Sequence, residues 1–531
     1  MTKKLVKVKD LSVSFDNNGK VVDVLKNVNF EIGQGTCLCL VGESGSGKSL
    51  SAYSIVDLLP KNAFIKSGKI KFNGVYLTNL PETEKQKIRG NQIGFIFQEP
   101  LSALNPLFTV GQQIEECLKL HTKLNKDERH KKVIQLLEEV KIDNPETRFK
   151  AYPHQLSGGQ RQRVCIAMAL ANKCRLLIAD EPTTALDVSV QKEILDLIKD
   201  LQKENNLAVL FITHDFSVVE EMAQEVAVMQ NGQIVEQGSI KQVLETPQEE
   251  YTKKLLSSMP GKNDYLDRNN KRENILEINN LNKAFKSKIS LFKSLKIKAV
   301  DNISFNLQEK QTLAIVGESG SGKSTLVRCI TRLISSDSGE VNFLGTNLVK
   351  ANSRQLRKAR RDMQMIFQDP LDSLNPRMKI IDSVSEGLLA YKTIPKAQIR
   401  PYLEKIFEDC KLQASDLDKL PAEFSGGQRQ RICIAKAIAM KPKLLIADEA
   451  VSALDLSVQK KVLELLNSLK EKYNLSILFI THDLRVVKEI ADTVLVMEKG
   501  KLVEQGNTKD LFNNPKQKYT QKLLKAIPGK L

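Results

Sequence analysis

VGESGSGKS at residues 41–49 recurs letter for letter at 316–324. Each copy carries the spacing Gly-x4-Gly-Lys-Ser, and each follows a short apolar run, CLCLV at 37–41 and TLAIV at 312–316. An apolar run entering a glycine-rich loop, then a helix-compatible stretch, predicts a strand, a phosphate-cradling loop and a helix. Glycine lets the backbone curl so that successive N–H groups converge on phosphate oxygens, and the helix that follows adds the partial positive charge of its N-terminus. The candidate nucleotide loops are therefore Gly42, Glu43, Ser44, Gly45, Ser46, Gly47, Lys48 and Ser49, and Gly317, Glu318, Ser319, Gly320, Ser321, Gly322, Lys323 and Ser324. Lys48 and Lys323 are expected to bridge the β- and γ-phosphates, and Ser49 and Ser324 to ligate Mg2+.

Working outward, the repetition continues. IFQ stands at 96–98 and 366–368, SGGQRQR at 157–163 and 425–431, LLIADE at 176–181 and 444–449, FITHD at 211–215 and 479–483, and VEQG at 235–238 and 503–506. The order never changes and the offset stays between 268 and 275. Self-similarity of this kind resets the domain count before any fold is considered. It predicts two homologous domains, 1–260 and 274–531, joined by a polar linker at 261–273 with no apolar periodicity. YTKKLL at 251–256 and YTQKLL at 519–524 predict a short closing helix in each.

Four apolar residues ending in Asp180 or Asp448 describe a buried parallel strand with an acid at its carboxyl end, where ligands gather in an open α/β sheet. The aspartate is expected to hold the Mg2+ shell, and the adjacent Glu181 or Glu449 to polarise the attacking water. His214 and His482 each lie 34 residues after that aspartate, again behind an apolar strand, which makes them catalytic candidates. Gln98 and Gln368 also follow an apolar run and precede turn-rich segments, a place suited to touching Mg2+ or water.

These residues together resemble the ATP-binding-cassette (ABC) ATPases over nearly the whole chain. The discriminating element is the signature LSGGQ at 156–160 with FSGGQ at 424–428, lying 23 residues ahead of each aspartate when counted from its serine. The resemblance implies an α/β fold class: two tandem domains, each a phosphate-loop α/β core with an antiparallel β subdomain and a helical subdomain. It also implies head-to-tail closure, so that one ATP site combines the first loop with Ser425, Gly426, Gly427 and Gln428. The other would combine the second loop with Ser157, Gly158, Gly159 and Gln160. It further implies adenine stacking on Phe15 and Phe285, and cross-interface communication through Asp187 and Asp455. Departures are few. Leu50 stands where the second half has Thr325, which removes one hydroxyl near the α-phosphate, and EAVSALD replaces EPTTALD. The span from loop lysine to signature serine is 109 residues in one half and 102 in the other, a difference expected to fall in the helical insert.

Residues 88–116 and both tails look like the dipeptide/oligopeptide importer ATPases, including the microcin C type. That likeness implies two permease subunits as partners, an extracytoplasmic binding protein acting indirectly, and no need for a homodimer. It also implies peripheral attachment at the cytoplasmic face of a bacterial inner membrane. The rival is a tandem cassette protein working on ribosomes or nucleic acid. The excess of 80 Lys plus Arg over 63 Asp plus Glu, a net +17, is open to nucleic acid, an anionic membrane surface or anionic ligands. A connector of about 14 residues and the lack of an aromatic-rich basic stretch argue against nucleic acid. No window approaches the roughly 18 apolar residues of a membrane span, and the first residues lack the apolar core of a signal peptide. The eight cysteines form neither a zinc pattern nor a disulfide framework and read as small buried hydrophobes in a reducing compartment.

Overall fold

The period-two pattern of KLVKVK at 4–9 buries Val6 and Val8 and leaves Lys7 and Lys9 in solvent, which is what a half-buried antiparallel strand requires. In the computed structural model it opens the strand Lys4–Asn17, in a four-stranded antiparallel sheet ordered Lys20–Gly33, Lys4–Asn17, Ala63–Phe72 and Val75–Tyr76. The structure describes residues 4–184, 186–260, 272–290, 293–369, 373–451 and 454–527, except the side chains of 101, 102, 287–290 and 293–295. The expected linker therefore falls, up to residue 271, outside the described residues. The chain divides into two compact units, one of Met1–Leu186 with Val190–Met259 and one containing Pro260–Ile527. Each is taken by itself.

In the first unit the uninterrupted apolar runs become strands buried on both faces, as a covered parallel sheet demands. Every residue of Cys37–Val41, Leu176–Asp180 and Ala208–Thr213 is buried. They lie in a six-stranded sheet ordered Gln233–Ser239, Glu225–Gln230, Cys37–Val41, Ala208–Thr213, Leu176–Asp180 and Ile93–Ile96. All neighbours are parallel except the outermost pair, Gln233–Ser239 on Glu225–Gln230. Register then does the work. Val41 lies beside Thr213, Ile212 beside Asp180, and Ala179 beside Ile96. Four strands thus end on one edge, and the loop, His214, the Asp180–Glu181 pair and Gln98 leave from that edge in adjacent places. The second unit repeats the plan with Met363–Ile366, Leu444–Asp448, Ser476–Thr481, Thr312–Val316, Thr493–Glu498 and Lys501–Asn507.

Between Gln98 and the signature, the first unit inserts the helices Val110–His121 and Lys126–Glu139. Each opens on a capping box, Thr109 with Gln112 and Asn125 with Glu128, which satisfies otherwise orphaned N–H groups. Leu118, Val133, Leu136 and Leu137 join the core that also holds Val164 and Ile166 of the signature helix Gly158–Leu170. The second unit has Ile380–Tyr391, Ile399–Asp409 and the signature helix Gly426–Ile438.

The length difference between the halves is not where it was expected. Lys48 to Gln98 spans 50 residues against 45 for Lys323 to Gln368, whereas glutamine to signature serine spans 59 against 57. Most of the deletion falls in the antiparallel region, where Ala63–Phe72 has 10 residues and its counterpart Ser338–Phe343 has 6. The helical insert packs into the core on several faces and tolerates less change, while the strand's outer end is freer to shorten.

Both predicted closing helices form, as Glu250–Ser257 and Lys518–Lys525. Seven cysteines are buried and Cys117 is half-buried. Among the described residues no helix is long and apolar enough to cross a membrane.

Candidate functional site

Each phosphate loop owes its path to glycine at particular places. Gly47 and Gly322 start the loop helices Lys48–Val56 and Lys323–Ile330 with φ of 105° and 102°. A Cβ on Gly322 would come within 2.0 Å of the Ala299 carbonyl oxygen, and one on Gly47 within 2.5 Å of Leu25 Cδ2. Gly45 and Gly320 are also left-handed, at 78° and 79°, but a Cβ there would meet nothing within 4 Å. The loop is therefore closed on its protein side and open at its crown, a cradle with room for phosphate oxygens. Lys48 Nζ donates to the carbonyls of Gly42 at 2.8 Å and Glu43 at 2.9 Å, and Lys323 Nζ to those of Gly317 at 2.6 Å and Glu318 at 3.0 Å. The ammonium is thus held inside the ring of the loop. Burial lowers the affinity of Lys323 for its proton, against the pull of Glu449.

The acidic strand meets the loop helix through its serine. Ser49 Oγ donates to Asp180 Oδ1 at 2.9 Å, and Ser324 Oγ to Asp448 Oδ1 at 3.4 Å. Among the described residues nothing donates to Asp180 Oδ2, which is buried. A buried carboxylate oxygen without a partner is costly, and burial pushes the Asp180 carboxyl up to about 6 despite the Ser49 hydrogen bond. Burial raises Asp448 as well, with the Glu449 charge adding to it. An orphaned buried oxygen beside a serine hydroxyl is a hard-oxygen donor set that fits Mg2+.

Glu181 and Glu449 gather the rest. Gln98 Nε2 donates to Glu181 Oε2 at 3.0 Å, Thr184 Oγ1 to the same oxygen at 2.9 Å, and His214 Nδ1 lies 3.1 Å from Oε1. In the second unit Gln368 Nε2 donates to Glu449 Oε2 at 2.8 Å, with His482 Nδ1 3.6 Å from Oε1, an ion-pair distance. Burial works against the charge of Glu181, yet the His214 ring holds its carboxyl down at about 2. Glu449 is lowered in the same sense, against its burial, by His482. The His482 ring is raised in turn by Glu449, over the opposing effect of its own burial. Both glutamates are therefore ionised at neutral pH and stand one residue beyond the metal-type aspartate.

Two features here were not legible as motifs. Glu181 and Glu449 adopt φ of 45° and 49°, the left-handed region that a non-glycine residue occupies at a cost of about 1–3 kcal/mol. Each is held there by its own N–H, donated at 3.0 Å to Ile212 or Ile480 of the neighbouring strand. The second feature is the reach of the closing helix to the phosphate loop. Glu43 N–H donates to the Tyr251 hydroxyl at 3.2 Å, and Glu318 N–H to the Tyr519 hydroxyl at 3.2 Å. Both tails thus reach the phosphate loop of their own unit.

The signature residues cap their helices. Ser157 Oγ accepts from Gln160 N–H at 3.3 Å while Gln160 Oε1 accepts from Ser157 N–H at 3.2 Å, and Ser425 with Gln428 does the same at 3.4 and 3.0 Å. Gly158, Gly159, Gly426 and Gly427 then open the helices, where first-turn N–H groups have no intrahelical acceptor. A Cβ on Gly159 or Gly427 would strike Val190 or Val458 at 2.4 Å, so these helices start in tight contact with the next one. Asp187 and Asp455 immediately precede those next helices, Val188–Asn205 and Leu456–Tyr473.

Phe15 lies opposite Val22, three residues along from the Leu25 that bounds Gly47. Phe285 pairs with Ile297, two residues before the Ala299 that bounds Gly322. Phe285 is 44% exposed, with Lys283 Nζ 5.7 Å from its ring centre. Each phenylalanine thus lies opposite the strand that bounds its own loop helix.

A strand-borne phosphate loop, a buried aspartate with its serine, and a glutamate gripped by glutamine and histidine define a nucleotide-hydrolysing cassette, present twice. The sequence family described as ABC transporter matches residues 25–184 and 300–452, and the chain belongs to it. It is an ATP-binding subunit whose ATP hydrolysis is coupled to transport. Residues 235–286 and 503–530 match the oligopeptide/dipeptide transporter C-terminal region. The chain is 45% identical to the peptidoglycan transport ATP-binding protein YejF of Agrobacterium fabrum, over 99% of this chain and 96% of that one. It is 44% identical to an ABC transporter ATP-binding protein, YejF, of Escherichia coli K12, over 99% of each. It is 40% identical to the glutathione import ATP-binding protein GsiA of Pectobacterium atrosepticum, over 99% of this chain and 90% of that one. A solved cassette, MJ0796 in a dimeric post-hydrolysis state bound to ADP and Pi, is 31% identical over 44% of this chain and 99% of its own, with a TM-score of 0.41.

Proposed function

We propose that this chain energises an importer for peptides at the cytoplasmic face of a bacterial inner membrane. The observation that carries the reading is the doubled tail, which matches the oligopeptide/dipeptide transporter region in both halves and touches the phosphate loop in both. In this reading two permease subunits receive the two cassettes, and an extracytoplasmic binding protein delivers the peptide. Each ATP is held by the loop of one half and the signature of the other. Lys48, Ser49, Gln98, Asp180, Glu181 and His214 work with Ser425–Gln428, and Lys323, Ser324, Gln368, Asp448, Glu449 and His482 with Ser157–Gln160. The first-turn glycine N–H groups of a capped helix support that role, since they have no intrahelical acceptor and are ready donors to a γ-phosphate.

Mg2+, when bound, supplies charge neutralisation to the phosphates, with Ser49, Asp180 and Gln98, or Ser324, Asp448 and Gln368, around it. The chain's own residues do the rest. The loop orients the phosphates, and Glu181 or Glu449, kept ionised by its histidine, accepts a hydrogen bond from the attacking water. Gln98 or Gln368, already bonded to that glutamate, carries the state of the site into the loop that follows it. Opening and closing of the halves then drives the permease between its two faces.

The test is uptake of labelled tripeptides, and of labelled glutathione, in cells lacking this chain. The reading expects peptide uptake to be restored by the wild-type chain and not by Lys48→Ala with Lys323→Ala. Unchanged peptide uptake in the deletion strain would overturn it, loss of glutathione uptake alone would move the substrate to glutathione, and co-sedimentation of the chain with ribosomes would favour the nucleic-acid rival.

A further inference from the structure

The same sheet position carries opposite chemistry in the two units. In the first, Lys7 pairs across strands with Lys71, and Lys9 with Lys69. The alternation places all four on the outer face, since the intervening Val6, Val8, Ile70 and Phe72 are 2% exposed or less. Lys7, Lys9 and Lys69 are exposed and Lys71 is half-exposed. In the second unit the equivalent cross-strand pairs are Glu277 with Asn342 and Asn279 with Glu340. Four lysines in one copy face two acids and two amides in the other, on strands otherwise matched in register.

Like charges directly opposite each other destabilise a sheet, so two adjacent Lys–Lys pairs work against the fold that displays them. Local acids compensate only in part. Glu31 on the outer strand lies 2.6 Å from Lys7 and 3.9 Å from Lys4. Tyr76 shares the face: the ammonium groups of Lys71 and Lys69 lie 5.2 and 5.9 Å from its ring centre. It is 43% exposed.

We infer that this face of the first unit docks on an anionic phospholipid surface. Three features select a lipid surface over a polymer. The cations form a two-dimensional patch, about 5 Å across strands and 7 Å along them, whereas a nucleic-acid strand or an acidic peptide is tracked by a line. All four are lysines, point charges suited to diffuse headgroup attraction, without the arginine fork that reads a single phosphate. The aromatic on the face is one tyrosine with a polar tip, the type that settles at headgroup level, and there is no row of rings for bases to stack on. The inference rests on the reading of a peripheral subunit at the inner face of a membrane, but vesicle binding and peptide uptake are separate readouts, so either can fail alone.

The experiment is flotation of the full-length purified chain with phosphatidylcholine vesicles, with and without one part in three of phosphatidylglycerol, at near-physiological salt. Wild type is expected to float only with the anionic vesicles. Replacing Lys7, Lys9, Lys69 and Lys71 by Gln should lower the partition coefficient at least about tenfold, given the attraction of each lysine near such a surface. Replacing the exposed Lys392, Lys396, Lys516 and Lys518 of the second unit by Gln removes the same charge and should change it less than about twofold. ATP turnover should hold in both variants and the melting temperature should fall in neither, rising if anything when the opposed lysines are removed, and the pair Lys69→Gln with Lys71→Gln alone should show an intermediate loss of vesicle binding. Equal loss in the two quadruple variants would mean that net charge alone is at work and would overturn the inference. So would binding that ignores phosphatidylglycerol, or a lysine-face defect seen only with ribosomal RNA or polyglutamate.

Discussion

The two units differ in what surrounds the metal-type aspartate and agree in the glutamine and histidine that grip the glutamate. Five residues past the loop lysine the first site has Tyr53, whose phenol bears on Asp180, and the second has Arg328, whose charge bears on Asp448. Two residues past it stands Leu50 in one and Thr325 in the other. Leu50 packs against the hydrophobic core of the antiparallel sheet, so the lost hydroxyl is exchanged for apolar contact. Pro182 and Thr183 give way to the buried Ala450 and Val451. Yet both glutamates keep a positive φ, the same backbone bond to the neighbouring strand, a glutamine donor and a histidine. Strain is held only where the surroundings impose it. Both copies thus keep the glutamate geometry while the residues along the loop helix and after the glutamate differ.

The largest expected effect lies at the loop lysines. Lys48→Ala with Lys323→Ala should cut steady-state ATP turnover to below about a hundredth. Wild-type turnover in that variant would mean that neither loop holds the nucleotide.

Next in size is Asp180→Asn. The carboxyl is raised by burial to about 6, so the folded chain holds this proton more tightly than the unfolded chain does. Stability is therefore lost as pH rises from about 4 to about 6, and at pH 7 the substitution should recover up to about 3 kcal/mol while ending activity at that site. A thermal melt without nucleotide should show a higher midpoint at pH 7 and no gain below pH 4. Asp448→Asn should act in the same direction. A lower midpoint for Asp180→Asn at pH 7 would contradict this account of its burial.

Tyr251→Phe and Tyr519→Phe remove the acceptor for a loop N–H and should each raise the KM for ATP about fivefold with kcat little changed. Equal sensitivity of the two sites is expected here, because the bond is 3.2 Å in both. The smallest effect belongs to the drifted position. Leu50→Thr should tighten ATP at the first site about twofold, and Thr325→Leu should loosen the second by as much, measured by equilibrium binding.

The phosphate loops, Asp180 and Asp448, both glutamates, both histidines and both glutamines were legible because each lies at a strand end and repeats at nearly fixed spacing. Parallel register then brings those ends together without further information. Tyr251 was seen only as part of a closing helix, since its partner Glu43 lies 208 residues away and no local pattern joins them. The positive φ of Glu181 is set by Ile212 of another strand, and the Lys7–Lys71 pairing by cross-strand register, so neither can be read along the chain. Tyr53 sits on an ordinary helix-compatible stretch and acquires its role only when Asp180 is brought beside it.

Both cassettes are expected to hydrolyse ATP. Steady-state turnover of the full-length chain should be measured for Glu181→Gln and for Glu449→Gln separately, and for the two together. Each single variant should lose at least about half of the turnover and the double variant about a hundredfold or more, since each site supplies its own base. Wild-type turnover in either single variant would contradict this and leave one catalytic cassette beside one that only binds.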